Sequence, residues 1–151
     1  SLMGGKWTTC RPMAMDCLAA VERQLPSPMQ KPKGLPLLGT ATNPDQTLPE
    51  LQGQRAALKD LLPNTPERPR QIAHLQHSFG LRAQSVLAKS TEAEREPLSS
   101  VIPICRAEIR HFIRDEHATS ASDVLSRRCR LAMVDSAEAD RLRPLVEEEL
   151  K

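Results

Sequence analysis

Apolar residues recur at helical spacing in the last third of the chain. Across residues 105–115, Cys105, Ile109 and Phe112 are separated by four and three positions, and charged residues stand between them. Side chains three and four positions apart share one face of an α-helix. The pattern therefore predicts an amphipathic helix whose apolar face lies against a core.

Five other segments carry helical periodicity or helix boundary signals. Gly80 follows one of them and can provide a left-handed stop. Pro144, inside the last, is expected to end or kink its helix because proline has no amide hydrogen. Runs that alternate β-branched or aromatic residues with polar ones never exceed a few positions, so no sheet is expected. The predicted helices cover residues 12–25, 68–79, 82–89, 120–134 and 135–150.

Two of these segments begin with polar residues three positions apart. Ser120 precedes Asp123, and Asp135 precedes Glu138. A hydroxyl or carboxylate at the start of a helix can accept a hydrogen bond from the amide three residues later. We therefore expect one long helix over 120–134 and a second from 135 onward.

Prolines are concentrated in one stretch, where nine of the thirteen lie between Pro26 and Pro69. Each proline removes a backbone donor and restricts the residue before it. Residues 26–49 are therefore expected to contain little regular helix, whereas the proline-free residues 51–62 can form a short one.

The helical and proline-rich stretches divide the chain into three parts. We predict an all-α fold, a small helical bundle preceded by an irregular Pro-rich segment. The predicted parts are a loop plus helix at 1–25, a Pro-rich linker at 26–66 and a C-terminal helical domain at 67–151.

Composition narrows the class of protein. The chain has 151 residues, 39% of them hydrophobic, which suits one core. Its 21 basic and 19 acidic residues give a net charge of +2, which indicates neither a nucleic-acid nor a membrane partner. The only aromatics are Trp7, Phe79 and Phe112, too few for a platform that stacks bases. No apolar run approaches the roughly 18 residues of a membrane span, and no secretion signal is recognised.

A basic, glycine-containing stretch, residues 4–11 (GGKWTTCR), precedes the first predicted helix. Glycines permit close backbone approach, and threonine hydroxyls with free amides at a helix start can bind a phosphate or a ring carbonyl. Lys6 and Arg11 add positive charge. Neither the phosphate-loop spacing nor the dinucleotide-binding fingerprint is present, so spacing alone favours an ordinary turn over an anion site.

Histidines do not form a complete metal-binding set. His74 and His77 stand three positions apart on a predicted helix, but a third ligand is missing. His111 and His117 show no nearby carboxylate–histidine pattern. Solvent-facing or capping histidines are therefore favoured, and no metal is predicted.

The four cysteines are far apart and contain no C-x-x-C pair, so we interpret them as reduced thiols. Cys105 and Cys129 fall within predicted helices without a histidine at a motif spacing. They are expected to be small buried hydrophobes rather than nucleophiles. The chain offers no catalytic residue.

Arg127, Arg128 and Arg130 form a basic cluster that could bind phosphates, nucleic acid or acidic lipid. Residues 105–143, however, hold eight arginines and seven acids, so ion pairs within the protein are the favoured interpretation. Residues 68–89 also fit a helix-turn-helix, but its second helix would carry only Arg82 and Lys89 as cations, and no nucleic-acid partner is predicted.

Two separated motifs resemble those of the FAD-dependent, quinone-linked glycerol-3-phosphate dehydrogenases. Residues 4–11 with residues 13–16 (MAMD) are similar to GGKWTTYR…MAED, which lies near the end of that family's flavin-binding domain. Cys10 replaces the family's tyrosine. The second motif is similar to AEVRY…REE…TAVDVLARRTRLAF and comprises residues 107–110 (AEIR), 115–116 (DE), Thr119 and 121–134 (ASDVLSRRCRLAMV). The resemblance spans nearly all of residues 4–150 and is loose in the Pro-rich middle.

The resemblance implies that residues 1–25 end a flavin-binding domain and that residues 67–151 are the family's helical cap domain. The implied cofactor is FAD in the full-length protein. Its isoalloxazine end would be lined by Gly5, Lys6, Trp7, Thr8 and Thr9. Lys6 would lie near the flavin N1–O2 edge and bind substrate, where a cation stabilises the charge of the reduced ring.

The implied activity is oxidation of glycerol 3-phosphate to dihydroxyacetone phosphate with electrons passed to a quinone. Most of the protein groups that would orient the reaction are implied to lie upstream of Met3, so residues 1–151 alone are expected to be inactive. The implied partners are the parent's own N-terminal flavin domain, a quinone and a membrane surface, and a homodimer is left open. The implied location is peripheral, on the mitochondrial inner or the bacterial cytoplasmic membrane.

An alternative keeps only the helices. In that interpretation the protein is a free-standing helical interaction module, residues 4–9 are an N-terminal tail and residues 105–150 form the binding surface. The choice between the dehydrogenases and the related oxidases also stays open at this point.

Overall fold

The computed structural model describes residues 3–30, 35 and 37–151, and within them the chain is all-α. No strand occurs in this part of the chain, which confirms the predicted fold class. The chain forms two compact units, residues 1–35 and 36–151. Residues 31–34 and 36 of the predicted linker lie outside the described residues.

The described part of the first unit contains one α-helix. A 3₁₀ turn at Trp7–Thr9 leads directly into α1 (Cys10–Glu22), so the helix begins two residues before the predicted start and ends three before the predicted end. None of the described residues in 3–30 is buried. Residues 3–30 therefore contribute no core of their own.

The second unit holds the remaining helices. Short 3₁₀ turns at Pro44–Gln46, Gly80–Arg82 and Ala93–Arg95 connect or introduce them. A π-helix, Asp123–Arg128, follows α5. The helices are α2 (Thr47–Leu61), α3 (Arg68–Phe79), α4 (Ala83–Leu87), α5 (Arg106–Arg114), α6 (Leu131–Val134) and α7 (Ser136–Glu149).

The helix α5 lies at the centre of this unit. It contacts α4, α7, the π-helix and the 93–95 turn. Its apolar face is the one that the periodicity predicts, with Ile109 fully buried and Phe112 nearly so. Each neighbouring helix adds side chains to a single core, among them Leu58, Leu75, Leu87, Val124, Leu142 and Val146.

The helix α2 is part of this core, although it falls in the segment predicted as a linker. It begins at Thr47, four residues before the short helix that the sequence allows. Pro49 is tolerated because the first turn of a helix needs no amide from that residue. Leu58 is fully buried, and Gln54 Nε2 donates to the carbonyl of Leu81 at 2.7 Å. Residues 47–62 thus belong structurally with the helices that follow.

The prediction of one long helix over 120–134 is wrong. The start expected at Ser120 does form, since the Asp123 amide donates to Ser120 Oγ at 3.1 Å and the Ser120 hydroxyl donates to Asp123 Oδ2 at 2.8 Å. The chain then winds as a π-helix, in which the Cys129 amide donates to the Val124 carbonyl five residues earlier at 3.0 Å. Arg130 adopts the left-handed conformation, φ 60°, and ends the helix before α6 begins.

The last helix was expected to end or kink at Pro144, and the structure shows that it does not end there. The helix α7 runs through Pro144 to Glu149. Ala139, Leu142 and Val146 are buried on both sides of the proline, so packing of this face offsets the missing hydrogen bond.

Two glycines allow the second unit to bring two loops together. Gly80 ends α3 with φ 57°, as predicted, and Gly39 has φ 86°. A Cβ on Gly80 would lie 2.3 Å from the Gly39 carbonyl oxygen. The Leu81 amide donates to that same carbonyl at 2.9 Å. This approach is open only to glycine.

No helix in the described ranges is both long enough and apolar enough to cross a membrane.

Candidate functional site

The residues predicted to contact a flavin form one continuous surface turn. Gly4 and Gly5 have φ values of 79° and 109°, a region that other residues rarely adopt. A Cβ on Gly5 would lie 2.2 Å from the Met13 sulfur. The two glycines therefore fold the chain back against the first turns of α1.

A hydrogen-bonded ring holds the residues that follow. The Lys6 amide donates to Thr9 Oγ1 at 3.0 Å, and the Thr9 hydroxyl lies 2.9 Å from the Lys6 carbonyl oxygen. The Thr9 amide also donates to that carbonyl, at 2.9 Å. The Thr9 side chain is thus occupied in shaping the turn that carries Lys6, Trp7 and Thr8.

The side chains of this turn face outward. Lys6, Trp7, Thr8 and Cys10 are exposed, and Trp7 is 90% exposed. A shallow hollow of about 320 Å³ lies beside them and is lined by Gly4, Gly5, Lys6, Trp7, Cys10, Met13 and Ala14. An exposed cation, an exposed indole and helix-start amides around a hollow can contact a planar anionic group.

The apolar side of α1 has nothing packed on it within residues 3–30. Met15, Leu18 and Val21 are each about half exposed, as is Leu25 beyond the helix end. Their spacing of three and four places them on one side of the helix. A stripe of this kind is typical of a helix that packs on further protein.

His77 and His117 are exposed, as expected, whereas His74 and His111 differ from the expectation of solvent-facing groups. His74 Nε2 lies 2.7 Å from Glu108 Oε1, and Glu108 is fully buried. His111 is buried, and its Nδ1 lies 2.8 Å from Asp115 Oδ2. The absence of a carboxylate–histidine pattern at His111 was therefore a wrong inference, because His111 and Asp115 stand at i, i+4 on α5.

Hydrogen bonds shift the titration of one of these carboxylates. Arg114 and His111 both bond to Asp115 and lower its pKa to about 2. Asp115 therefore stays ionised beside His111 at neutral pH. Sequence reasoning missed both this pair and the role of Glu108. The role of Glu108 at the start of α5 could have been predicted, since an acid at the third position of a helix can accept a hydrogen bond from the amide of the residue that precedes the helix.

The burial predicted for Cys105 and Cys129 is confirmed, but their placement within helices is wrong, since Cys105 immediately precedes α5 and Cys129 follows the π-helix. Cys105 and Cys129 are buried, and Cys10 and Cys17 are exposed thiols. Burial raises the pKa of the Cys105 thiol well above its usual range, and the nearby Glu108 charge adds to the effect. Burial likewise raises the pKa of Cys129. Neither is activated as a nucleophile. Across the described ranges, no three histidine, cysteine or acidic side chains come together as metal ligands.

Most of the arginines in residues 105–143 form the ion pairs that the charge pattern predicts. Arg127 pairs with Asp123 at 2.5 Å, and Arg128 with Glu116 at 3.3 Å. Arg110 and Arg106 both bond to Glu149 and tie the end of α7 to α5. Arg130 differs from them, since it has no ion-pair partner among the described residues.

Comparison with known proteins places the chain in a family. The family model described as the C-terminal domain of alpha-glycerophosphate oxidase matches residues 32–151. The chain therefore belongs to this family of C-terminal domains. The match begins before α2, which agrees with the packing of that helix in the second unit. No solved structure matches the chain significantly.

The similar proteins with curated names are glycerol-3-phosphate dehydrogenases. A mitochondrial one from Arabidopsis thaliana is 32% identical over 93% of this chain and 24% of its own length. One from Mycobacterium bovis is 32% identical over 89% of this chain and 23% of its own length. A probable mitochondrial one from Dictyostelium discoideum is 30% identical over 93% of this chain. The chain thus spans about a quarter of the length of the relatives it matches.

Proposed function

We propose that this chain is the C-terminal part of an FAD-dependent glycerol-3-phosphate dehydrogenase that oxidises glycerol 3-phosphate to dihydroxyacetone phosphate. The observation that carries the proposal is the match of residues 32–151 to the family domain, in a chain that also holds the GGKWTT turn. Relatives named as glycerol-3-phosphate dehydrogenases align with about nine-tenths of the chain.

The turn at residues 4–9 suits one edge of a flavin site. Gly4 and Gly5 place no side chain over the hollow. Both have positive φ values, a backbone conformation that would be strained for a residue with a Cβ atom. Lys6 and Trp7 are exposed beside it. When bound, FAD would supply the acceptor for the hydride that leaves glycerol 3-phosphate.

In this proposal each residue of the turn has a distinct role. Lys6 holds positive charge at the pyrimidine edge of the ring and toward the substrate phosphate, which stabilises negative charge there. Gly5, Trp7 and Thr8 contact the ring. Thr9 acts through its bonds to the backbone of Lys6, because its hydroxyl is already within 3 Å of the Lys6 carbonyl.

The helical unit has a structural role in the proposed parent. Its two most buried titratable features, Glu108 and Cys105, are engaged inside the core and cannot reach a substrate. We propose that residues 1–151 alone are inactive, because the groups that would abstract the substrate proton are not found in the turn. In the parent protein, the N-terminal flavin domain would pack on this unit. The parent would pass electrons to a quinone and attach peripherally to a membrane.

The test uses the full-length product of the gene. Its visible spectrum should show bound flavin, and glycerol 3-phosphate should bleach that spectrum and support dye reduction. Lys6→Ala should keep the flavin but lower kcat/KM for dye reduction about a hundredfold, as loss of a charge-stabilising group does. Residues 1–151 alone should be colourless and inactive.

Arg23→Ala is the matched control, since it removes an exposed cation just beyond α1 and away from the turn. It should leave the kinetics unchanged. A full-length protein without flavin, or one indifferent to glycerol 3-phosphate, would overturn the proposal. Equal kinetics for Lys6→Ala and Arg23→Ala would overturn the role given to Lys6.

A further inference from the structure

A groove separate from the GGKWTT turn lies in the second unit. Its lining comes from α3, from the loop at residues 101–103, from Phe112 and Glu116, and from residues 127–130 with Val134. Its volume is about 780 Å³, within the range of small-molecule sites in proteins.

The groove carries more positive than negative charge. Among the described residues, four arginines line it against a single carboxylate, that of Glu116. Arg128 pairs with Glu116, and Arg127 pairs with Asp123 nearby. Within the part of the chain that the structure describes, Arg70 donates only to the backbone carbonyls of Ser100 and Val101, at 3.0 and 3.2 Å. Because those partners are uncharged, the positive charge of Arg70 is not neutralised.

Arg130 is a second arginine of the groove whose positive charge is not neutralised, and its backbone conformation is unusual. It has φ 60° and ψ 18°, a left-handed conformation that an arginine seldom adopts. The turn follows a π-helix, a local form that is frequent at functional sites. The π-helix and the left-handed Arg130 together end one helix before α6 begins, and Arg130 lines the groove. No carboxylate of the described residues pairs with Arg130.

Apolar side chains also line the groove, beside the polar His74, His77 and Ser78. Phe79 and Phe112 contribute from the core, and Ile102 from the loop. Val134 at the rim is 66% exposed. An anion with an apolar body could therefore bury that body here while its head faces the arginines.

We propose that this groove binds an organic phosphate, with its anionic head held by Arg70 and Arg130 and its apolar part on Phe79, Phe112, Ile102 and Val134. Guanidinium groups suit this role because they bind phosphate oxygens through two parallel hydrogen bonds. The site does not depend on the proposed dehydrogenase activity, and it shares no residue with the turn at Gly5–Thr9.

The test is calorimetric titration of the 151-residue chain with octyl phosphate. Octanol, which represents the apolar chain, and inorganic phosphate, which represents the head, are titrated separately for comparison. Octyl phosphate should bind more tightly than either, and its affinity should fall as salt is added because the head is held by charge. Octanol binding as tightly as octyl phosphate would overturn the role of the arginines, and inorganic phosphate doing so would overturn the role of the apolar surface.

Arg130→Gly is the informative variant. Glycine suits the left-handed conformation, so the fold should be retained while the charge is lost. Affinity for octyl phosphate should drop about tenfold or more, as removal of a charged hydrogen-bond donor does. Arg143→Ala, which removes an exposed arginine paired with Asp140 on α7, should bind like the unaltered protein. Equal affinity in the two variants would overturn the assignment.

A second titration identifies the source of the phosphate. Vesicles of phosphatidylcholine with phosphatidic acid present the same head on a membrane. Binding to both probes, lost in Arg130→Gly, supports a lipid headgroup as the natural ligand. Binding to octyl phosphate but not to vesicles supports a soluble organic phosphate. Binding to neither overturns the proposal.

Discussion

At the scale of single residues, Glu108 joins two helices inside the core. Its Oε1 lies 2.7 Å from His74 Nε2 on α3, and its Oε2 accepts from the Cys105 amide at 3.0 Å at the start of α5. A buried carboxylate is costly unless both oxygens have partners. The same side chain therefore fixes the beginning of α5 and its alignment with α3.

The glycine contact between residues 39 and 80 gives a prediction at this scale. Gly80→Ala places a Cβ within 2.3 Å of a backbone oxygen and a side chain at φ 57°. The free energy of unfolding should fall by about 2 kcal/mol or more, since the conformation alone costs about 1–2 kcal/mol. Urea unfolding followed by circular dichroism measures the change.

Gly53 provides the matched control for that substitution. It lies inside α2, and a Cβ there would have nothing within 4 Å. Gly53→Ala should raise the free energy of unfolding by about 0.5–1 kcal/mol, because alanine restricts the unfolded chain. A loss of stability in Gly53→Ala equal to that in Gly80→Ala would contradict the explanation for both.

At the scale of elements, the start of α7 depends on one side chain. Asp135 has an extended backbone, and its carboxylate accepts from the Glu138 amide at 2.9 Å. Asp135→Ala should lower the free energy of unfolding by about 1 kcal/mol, the usual effect of losing a helix cap.

Asp135→Asn retains an acceptor and should lose much less. Asp140→Ala is the control, since it removes an exposed acid within the same helix. Thermal unfolding of the three variants makes the comparison. Equal losses in Asp135→Ala and Asp140→Ala would show that charge on α7, rather than the cap, determines its stability.

The elements also show where sequence patterns are reliable. The amphipathic α5, the stop at Gly80 and the starts at Ser120 and Asp135 were predicted, because each depends on residues within four positions of one another. The π-helix and the left-handed Arg130 were not. Residues 121–134 have an acceptable helical pattern, and their irregular winding depends on how the flanking helices pack.

At the scale of the whole molecule, the core lies in residues 36–151. We predict that a chain beginning at residue 36 unfolds cooperatively with the same Tm as the 151-residue chain. The reason is that none of the described residues in 3–30 is buried, whereas α2 to α7 share one core. Thermal circular dichroism compares the two chains.

A chain beginning at residue 67 is the contrasting case. It follows the predicted domain boundary but removes α2 and the fully buried Leu58. It should lose cooperative unfolding, because the removed helix leaves part of the core exposed. A chain from residue 67 as stable as the chain from residue 36 would show that α2 is dispensable.

The candidate site was predicted from sequence only through the resemblance. Composition and spacing favoured an ordinary turn at residues 4–9, and the family motif gave those residues a function. The structure adds that Thr9 bonds to the backbone of Lys6 and that Trp7 is exposed. The roles toward FAD, the membrane and the quinone stay predictions, as does the absence of a nucleic-acid partner.

The helical class, the helix boundaries that depend on caps and stops, the burial of Cys105 and Cys129 and the family of the chain could all be inferred from the amino-acid sequence. These properties are local, or they reside in motifs that can be recognised letter by letter. Contacts between distant residues, such as His74 with Glu108 and Gly39 with Gly80, become known only from the folded structure. Contacts between residues more than thirty positions apart depend on how whole helices pack, and local sequence patterns do not specify that packing.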